Sequence, residues 1–145
     1  MSNEDIFKVV STTDETKVIE VTRLQLSICE TLKNLIEDTE EGDKVPVKQP
    51  VKILKLAMKY CIHYNGEAPE EDHYTIDGLD EWETNFIETL KNKELLDLMT
   101  CADFLQNPFL LNCCFRGLAD RARGKTDEEV KEICLVSEDS VIEDE

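Results

Sequence analysis

The chain has 145 residues, with 33 acidic against 16 basic side chains and a formal net charge of −17. A field of that sign repels phosphate backbones and anionic lipid, and no apolar run approaches the length of about 18 residues that a membrane span requires. Composition therefore argues against nucleic-acid and membrane partners, and the length suits one domain with its own core. The acidic excess is concentrated in three segments, 37–43, 67–81 and 138–145.

The N-terminal part predicts a β-hairpin followed by two short helices. Residues 6–10 and 17–21 are β-branched runs, and the polar segment between them is typical of a turn. Apolar residues then recur at helical spacing in two stretches, 24–28 and 32–36, and an acidic loop that contains Gly42 ends the second. We therefore expect a hairpin that leads directly into short helices.

Residues 45–47 predict a third strand, and the segment after them predicts a core helix. Pro46 has no backbone N–H to give to a ladder, so it confines the strand to a sheet edge or to a strand start. The helix is preceded by Pro50 and followed by Asn65-Gly66, which are start and stop signals. Its apolar positions share one face: Val51, Leu54, Ala57, Met58, Cys61 and Ile62.

The segment 66–80 is acidic and contains Pro69 and Gly78, so we expect it to be mobile rather than packed. Two further helices follow it. Their apolar positions are Trp82, Phe86, Ile87 and Leu90 in the first and Leu95, Leu98, Met99, Ala102 and Leu105 in the second. The whole pattern predicts an α+β fold in which a small sheet is flanked by helices.

Local signals place two more helices near the C-terminus. Asn107 can cap a helix with its side chain, and Pro108 at the first helical position gives up an N–H that has no partner there. Gly124 suits the left-handed position after this helix. Thr126 and Glu129 have the spacing of a capping box, which begins the next helix.

These two helices carry more apolar area than the domain can cover. The apolar positions are Leu111, Cys114, Phe115, Leu118 and Ala122 on the first helix and Val130 and Ile133 on the second. We expect part of this area to be exposed unless a partner covers it. The alternative is that both helices simply fold back onto the domain.

The sequence contains no complete catalytic or metal-binding pattern. Five of the six cysteines lie inside apolar helical patterns, and His63 and His73 lack paired ligand spacing. The Gly-Lys-Thr at 124–126 resembles the end of a phosphate-binding loop, but Ala119 stands where that loop needs glycine. We therefore predict no metal, no cofactor and no catalysis, and the cysteine usage without a signal peptide predicts a cytosolic or nuclear location.

Several segments, in this order, resemble the S-phase kinase-associated (Skp-type) adaptor of SCF ubiquitin ligases. They are FKVV and VIEV, V-P-V at 45–47, Tyr60-Cys61 with His63, Trp82 followed by Phe86, ADFL at 102–105, the helix that ends RGK, and T-x-E-E-V from Thr126. Elongin C resembles only the front part, so the helices after Phe104 favour the Skp type. The resemblance implies a BTB/POZ-like part at 1–107, a helical platform at 108–136 and an acidic tail at 137–145.

The resemblance also implies two separate protein-binding surfaces. A cullin N-terminal domain would bind Asp103, Phe104, Val45 and Val47. F-box proteins would bind Leu111, Cys114, Phe115, Leu118, Ala122, Val130 and Ile133. The chain would then be a non-enzymatic adaptor between these partners.

This sequence departs from the usual family pattern at both surfaces. Family members more usually carry Asn-Tyr at the place of Asp103-Phe104, so a carboxylate is gained and a phenol hydroxyl is lost. On the other surface, Ala122 replaces a typical Ile and Cys134 a typical Phe, and a further helix with a terminal Trp has no counterpart here. The smaller anchors imply a different subset of F-box proteins.

Three alternatives to the adaptor hypothesis stay open. A BTB-type self-association module would form a weak homodimer without the C-terminal helices. A diverged paralogue would bind a cullin but no typical F-box protein. A hydrolase would need a cysteine with a strongly lowered pKa, for which Cys113-Cys114 has no neighbouring histidine in the sequence.

Overall fold

The computed structural model describes residues 5–40, 43–70 and 72–132, and its elements follow the predicted order. The strands are β1 Ile6–Ser11, β2 Asp14–Thr22 and β3 Lys44–Val47. The helices are α1 Arg23–Leu26, α2 Glu30–Leu35, α3 Val51–Tyr64, α4 His73–Ile76, α5 Glu81–Glu88, α6 Asn92–Phe104 and α7 Pro108–Ala122, with a 3-10 turn at Ile36–Asp38. Residues 127–132 are also helical. None of the helices in the described ranges combines the length and apolar character that a bilayer crossing demands.

The three strands form one small sheet in the order β2-β1-β3, which confirms the α+β class. β1 and β2 make the predicted antiparallel hairpin, with Val10 opposite Val18. β3 runs parallel to β1 on its other side, with Val10 opposite Pro46. Pro46 therefore lies on an edge strand, as its missing N–H predicted.

One hydrophobic core joins the sheet to the helices. Leu54 of α3 and Leu98 of α6 are buried at its centre, where these two helices pack together. Leu110 and Cys113 of α7 belong to the same buried cluster. The predicted boundary between 107 and 108 therefore falls within one continuous core.

The local signals near the C-terminus are confirmed. The Asn107 side chain accepts a hydrogen bond from the Leu110 backbone N–H (3.1 Å) and caps α7. Gly124 has a φ of 78° and lies in the left-handed region. Thr126 and Glu129 form the capping box, in which each backbone N–H donates to the other's side chain (3.0 and 3.2 Å).

The expectation that residues 66–80 are mobile is wrong for the part that forms α4. Tyr74 of α4 is buried, and its hydroxyl lies 2.7 Å from that of Tyr60 on α3. It also donates a hydrogen bond to Glu83 of α5 (2.5 Å). One aromatic side chain thus binds an acidic segment to the core, although its composition is typical of an exposed loop.

Candidate protein-docking surface

The turn between α6 and α7 is held by the first residues of α2. The backbone N–H groups of Glu30 and Thr31 donate to the carbonyl oxygens of Gln106 (3.2 Å) and Leu105 (3.1 Å). The Thr31 hydroxyl donates to the carbonyl of Phe104 (3.1 Å). These bonds satisfy N–H groups at a helix start that have no partner within their own helix. The end of α6 is therefore fixed to a second element.

Asp103 and Phe104 project from this fixed turn. Both side chains are exposed, and 45% of the Phe104 surface is accessible to solvent. A large aromatic side chain with that exposure is not a core residue. An exposed aromatic side chain beside a carboxylate has the composition of an interface anchor.

α7 presents one apolar stripe to solvent. Leu111, Phe115, Leu118 and Ala122 lie at i, i+4, i+7 and i+11, so they share a helix face. Phe115 is 51% exposed, and the other three are half-buried. The predicted exposure of apolar area on this helix is confirmed.

The side of α7 that carries Gly117 and Arg121 is anchored to α5 and to the turn after it. Gly117 lies so close to α5 that a Cβ at this position would come within 2.8 Å of Ile87 Cγ2. The Arg121 guanidinium donates to the carbonyl oxygens of Ile87 (2.7 Å) and Leu90 (2.5 Å) and to Asn92 Oδ1 (2.8 Å). Two of these bonds satisfy carbonyl groups near the end of α5. The anchoring fixes the position of the exposed stripe.

Three of the predicted contact residues face the core instead. Val45 and Val47 lie on the inward side of β3, and Cys114 lies on the inward side of α7; none is more than 2% exposed. The alternation of a strand turns both valines to the same face, and the step of one residue from Phe115 rotates Cys114 into the core. The prediction that these side chains contact a partner is therefore corrected, because they are not accessible.

Two shallow cavities open beside the stripe. One, of about 210 Å³, is lined by Ala102, Asp103, Gln106, Asn107, Pro108 and Leu111. The other, of about 320 Å³, lies between α4 and α7 and is lined by Tyr74, Thr75, Asn112, Phe115 and Arg116. Because Asp103 and Leu111 line the same cavity, the two surfaces predicted as separate adjoin each other at the α6–α7 turn.

The helix after α7 is described only in part. Residues 127–132 are helical, and Val130 is half-buried. The Lys125 N–H donates to the Ala122 carbonyl (3.0 Å) and closes the tight turn between the two helices. Ile133, Cys134 and the predicted tail at 137–145 lie outside the described residues.

A buried polar cluster next to α4 was not predicted from the sequence. Glu83 has no exposed surface; its Oε1 accepts hydrogen bonds from the Asp80 N–H (2.9 Å) and His73 Nε2 (3.1 Å). Its Oε2 accepts from the hydroxyls of Tyr64 and Tyr74. Burial favours the neutral acid, but the bonds from Tyr64 and Tyr74 outweigh it and hold the pKa of Glu83 below its ordinary 4.5.

The same cluster contains a group of three side chains that could ligate a metal within the described ranges. The ligand atoms of His73, Asp80 and Glu83 lie within 4.8 Å of one another. Each Glu83 oxygen already accepts two hydrogen bonds, so the group is a satisfied network rather than an open coordination site. Although burial lowers the pKa of His73, Glu83 and Asp77 outweigh that effect and raise it above 6.5. The capping spacing of Asp80 and Glu83 was the one available sequence signal.

The cysteines of the described ranges are buried in the core. Cys29, Cys61, Cys101, Cys113 and Cys114 are unbridged and buried, as predicted, and Cys134 is outside the described residues. Burial raises the pKa of Cys101 to about 12 and, together with the charge of Glu83, that of Cys113 to about 12. A thiol nucleophile requires a lowered pKa, so these shifts oppose the hydrolase interpretation.

Comparison with known proteins identifies similar chains over most of the length. The chain is 30% identical to SKP1-like protein 18 of Arabidopsis thaliana over 115 residues, which cover 77% of this chain and 73% of that protein. It is 28% identical to SCF ubiquitin ligase complex protein SKP1a of Dictyostelium discoideum over 137 residues, covering 89% and 83%. It is 25% identical to E3 ubiquitin ligase complex SCF subunit sconC of Arthroderma benhamiae over 122 residues, covering 79% and 74%.

No protein-family model matches the chain. The identity to these relatives nevertheless extends over 77% to 89% of this chain. The family resemblance drawn from the sequence motifs is thereby confirmed. On this extent of similarity, the chain belongs to the SKP1-like family.

Proposed function

We propose that this protein is a non-catalytic adaptor subunit of an SCF-type ubiquitin ligase and that it joins a cullin N-terminal domain to F-box substrate receptors. Two of the similar proteins are named as SCF subunits, which supports the proposal. The observation that carries it is the adjacency of two apolar surfaces, Phe104 at the end of α6 and the stripe around Phe115 on α7. A bridge between two partners requires two such surfaces on one rigid unit.

Cullin binding is assigned to Asp103 and Phe104, at the end of a BTB/POZ-like N-terminal part. Phe104 offers an exposed apolar anchor, and Asp103 adds a negative charge beside it. A charge at the rim of an interface selects a partner with the opposite sign more than it adds affinity. We therefore expect preference for a cullin that places a basic side chain opposite Asp103. Val45 and Val47 contribute only by packing β3 against the core.

F-box binding is assigned to the stripe of Leu111, Phe115, Leu118 and Ala122, continued by Val130. Ala122 is the smallest side chain in this stripe, and a large anchor replaced by a small one costs on the order of 2 kcal/mol, about thirtyfold in affinity. A partner that brings a larger apolar side chain to Ala122 recovers this loss. The adaptor is therefore expected to bind a subset of F-box proteins rather than all of them.

The test is calorimetric titration of the full chain with a cullin N-terminal domain and, separately, with a panel of F-box segments. Phe104→Ala is expected to weaken cullin binding about thirtyfold or more, and Leu118→Asp is expected to do the same for the F-box segments. Thr12→Asp in the exposed β1–β2 turn is the matched control for added charge and is expected to change neither affinity. The unfolding midpoint of each variant shows whether the fold is kept.

The pattern of losses separates the alternatives. If cullin binds and no F-box segment does, the protein is a diverged paralogue that has lost the second partner. If neither binds, the adaptor proposal is wrong, and sedimentation of the chain at high concentration then tests self-association. We also propose a cytoplasmic or nuclear location, which imaging of the tagged full chain would test.

A further inference from the structure

Two buried thiols lie in contact beneath the α6–α7 turn. The Sγ atoms of Cys29 and Cys61 are 3.2 Å apart, and both side chains are fully buried. Cys29 immediately precedes α2, and Cys61 lies near the end of α3. The contact therefore joins two elements that are separated by β3 in the chain.

A single amide connects this thiol pair to the start of α7. Asn107 Nδ2 donates to the Sγ of Cys29 (3.5 Å) and of Cys61 (3.7 Å), while Asn107 Oδ1 caps α7 through the Leu110 N–H (3.1 Å). Glu30, the residue after Cys29, holds the α6–α7 turn by donating its backbone N–H to the carbonyl of Gln106. The pair thus lies at the joint where α2, α3 and α7 meet.

We propose that Cys29 and Cys61 are a site of reversible oxidation to an intramolecular disulfide that locks this joint. A disulfide requires sulfurs about 2.05 Å apart, so the two thiols need to approach by little more than an ångström. Rotation about the side-chain bonds of both cysteines provides a movement of that size. The inference does not depend on the adaptor function, because it concerns the core and not the docking surface.

The reaction balances with a low-molecular-weight disulfide such as oxidised glutathione as the oxidant. The thiolate of one cysteine attacks a glutathione sulfur, forms a mixed disulfide and releases one reduced glutathione. The second cysteine, as its thiolate, displaces the second glutathione and forms the protein disulfide. Two protein thiols are oxidised, one glutathione disulfide is reduced, and both protons end on the released thiols.

Burial makes the closed fold react slowly. The hydrogen bond with Cys29, followed by burial, raises the pKa of Cys61, so little thiolate is present while the joint is closed. Exchange then requires a local opening of the joint. Low concentrations of urea are therefore expected to accelerate oxidation well before the chain unfolds. Once formed, the bond closes a loop of 32 residues and is expected to raise the unfolding midpoint by about 10 °C.

The experiment exposes the full chain to oxidised glutathione and follows intact mass, free thiols and non-reducing peptide maps. The expected result is a monomer that loses two hydrogens, with the peptides of Cys29 and Cys61 joined. Cys101→Ala, which removes another buried thiol from the same core, should still form the bond, whereas Cys29→Ala should not.

The peptide map of the unaltered chain decides the proposal even if a variant fails to fold. Oxidation that joins any other cysteines, or that produces only linked dimers, overturns the proposal. A full count of free thiols after prolonged treatment in low urea also overturns it, since opening then gives the oxidant access and no bond forms. A Cys29–Cys61 link that does not raise the unfolding midpoint contradicts the proposed lock.

Discussion

His73 Nε2 lies 3.1 Å from Oε1 of Glu83, a carboxylate with no exposed surface. The pair joins α4 to α5, and the hydroxyls of Tyr64 and Tyr74 on the second carboxylate oxygen extend the contact to α3. His73 and Tyr74 together attach to the core a segment whose composition resembles a solvated loop. Since Tyr74 also lines the cavity beside Phe115, this cluster shapes part of the candidate docking surface.

Replacing the buried carboxylate is expected to destabilise the protein strongly. In Glu83→Gln, an NH₂ group replaces one of the two carboxylate oxygens. Its N–H groups then face two of the four donors that bind the carboxylate in the unaltered protein. We expect a loss of about 2 to 4 kcal/mol in the free energy of unfolding, measured by urea denaturation. Glu81→Gln, on the same helix but exposed, is the control and should change it by about 0.5 kcal/mol or less. Equal effects of the two substitutions would contradict the network.

The same pair predicts how stability depends on pH. The pKa of His73 is raised in the fold. Its contribution to the free energy of unfolding is therefore complete below pH 6.5 and is lost as pH rises through the raised pKa. The pKa of Glu83 is lowered in the fold. Its contribution to the free energy of unfolding is therefore complete above pH 4.5 and is lost as pH falls through the lowered pKa. The ion pair therefore stabilises most between these two ordinary pKa values.

The check is the difference in unfolding free energy between the unaltered chain and His73→Gln at several pH values. That difference should be largest at about pH 5.5 and should shrink as pH rises through the raised pKa of His73. A difference that grows with rising pH would show that His73 does not carry the charge in this pair.

The close approach of α7 to α5 predicts that Gly117→Ala destabilises by overpacking. The new Cβ would meet Ile87 Cγ2 at 2.8 Å, and this methyl group is on a short, stiff side chain that cannot move aside. We expect a cost of about 1 to 3 kcal/mol in thermal or urea unfolding. Adding Ile87→Ala should remove part of the Gly117→Ala effect, because the methyl group is then absent.

Gly124→Ala is the informative comparison, since it costs free energy for a different reason. Among the described residues, no atom beyond its two chain neighbours lies within 4 Å of the added Cβ, but the φ of 78° is unfavourable for alanine. We expect about 1 kcal/mol, and Ile87→Ala should leave this cost unchanged. A rescue of both glycine variants by Ile87→Ala would argue against the steric explanation.

Arg121 is expected to hold α7 in position against α5. Arg121→Met removes the donors to Ile87, Leu90 and Asn92, and we expect a loss of about 2 kcal/mol with faster hydrogen exchange along α7. Arg123→Met is the matched control, because the Arg123 side chain is 72% exposed and pairs with Asp120 on the surface. Its loss should be about 0.5 kcal/mol or less. Unchanged exchange in Arg121→Met would contradict the anchoring.

The elements that the sequence predicted well are those specified by residues close together in the chain. Asn107 with Pro108, and Thr126 with Glu129, form caps within one turn of helix, so their spacing alone places the helix starts. Pro46 predicted an edge strand because the missing N–H is a property of the residue itself. The family relationship followed from the order of such segments.

The features that were missed depend on which side chains meet in space. Nothing in the acidic segment indicated that Tyr74 would reach Tyr60 and Glu83, since those partners come from two other helices. Strand alternation places Val45 and Val47 on one face of β3, but which face of a strand is buried depends on the elements packed against it. Cys114 precedes the exposed Phe115 by one residue on α7, and this rotation about the helix axis is enough to turn its side chain into the core.

Pro46 has a further consequence for what can pair with the sheet. The backbone N–H groups of Lys8, in β1, and Thr12, just after it, donate to the carbonyl groups of Asp43 and Val47. In this parallel ladder, the odd-numbered residues of β3 therefore direct their backbone N–H and C=O groups towards β1. The backbone nitrogen at 46 then points away from the sheet, and as a proline it has no hydrogen to donate. A foreign strand laid along β3 would meet a missing bond at its middle, which protects this edge against sheet growth and aggregation. The outer edge of β2, a strand without proline, is therefore the more favourable side for an added strand.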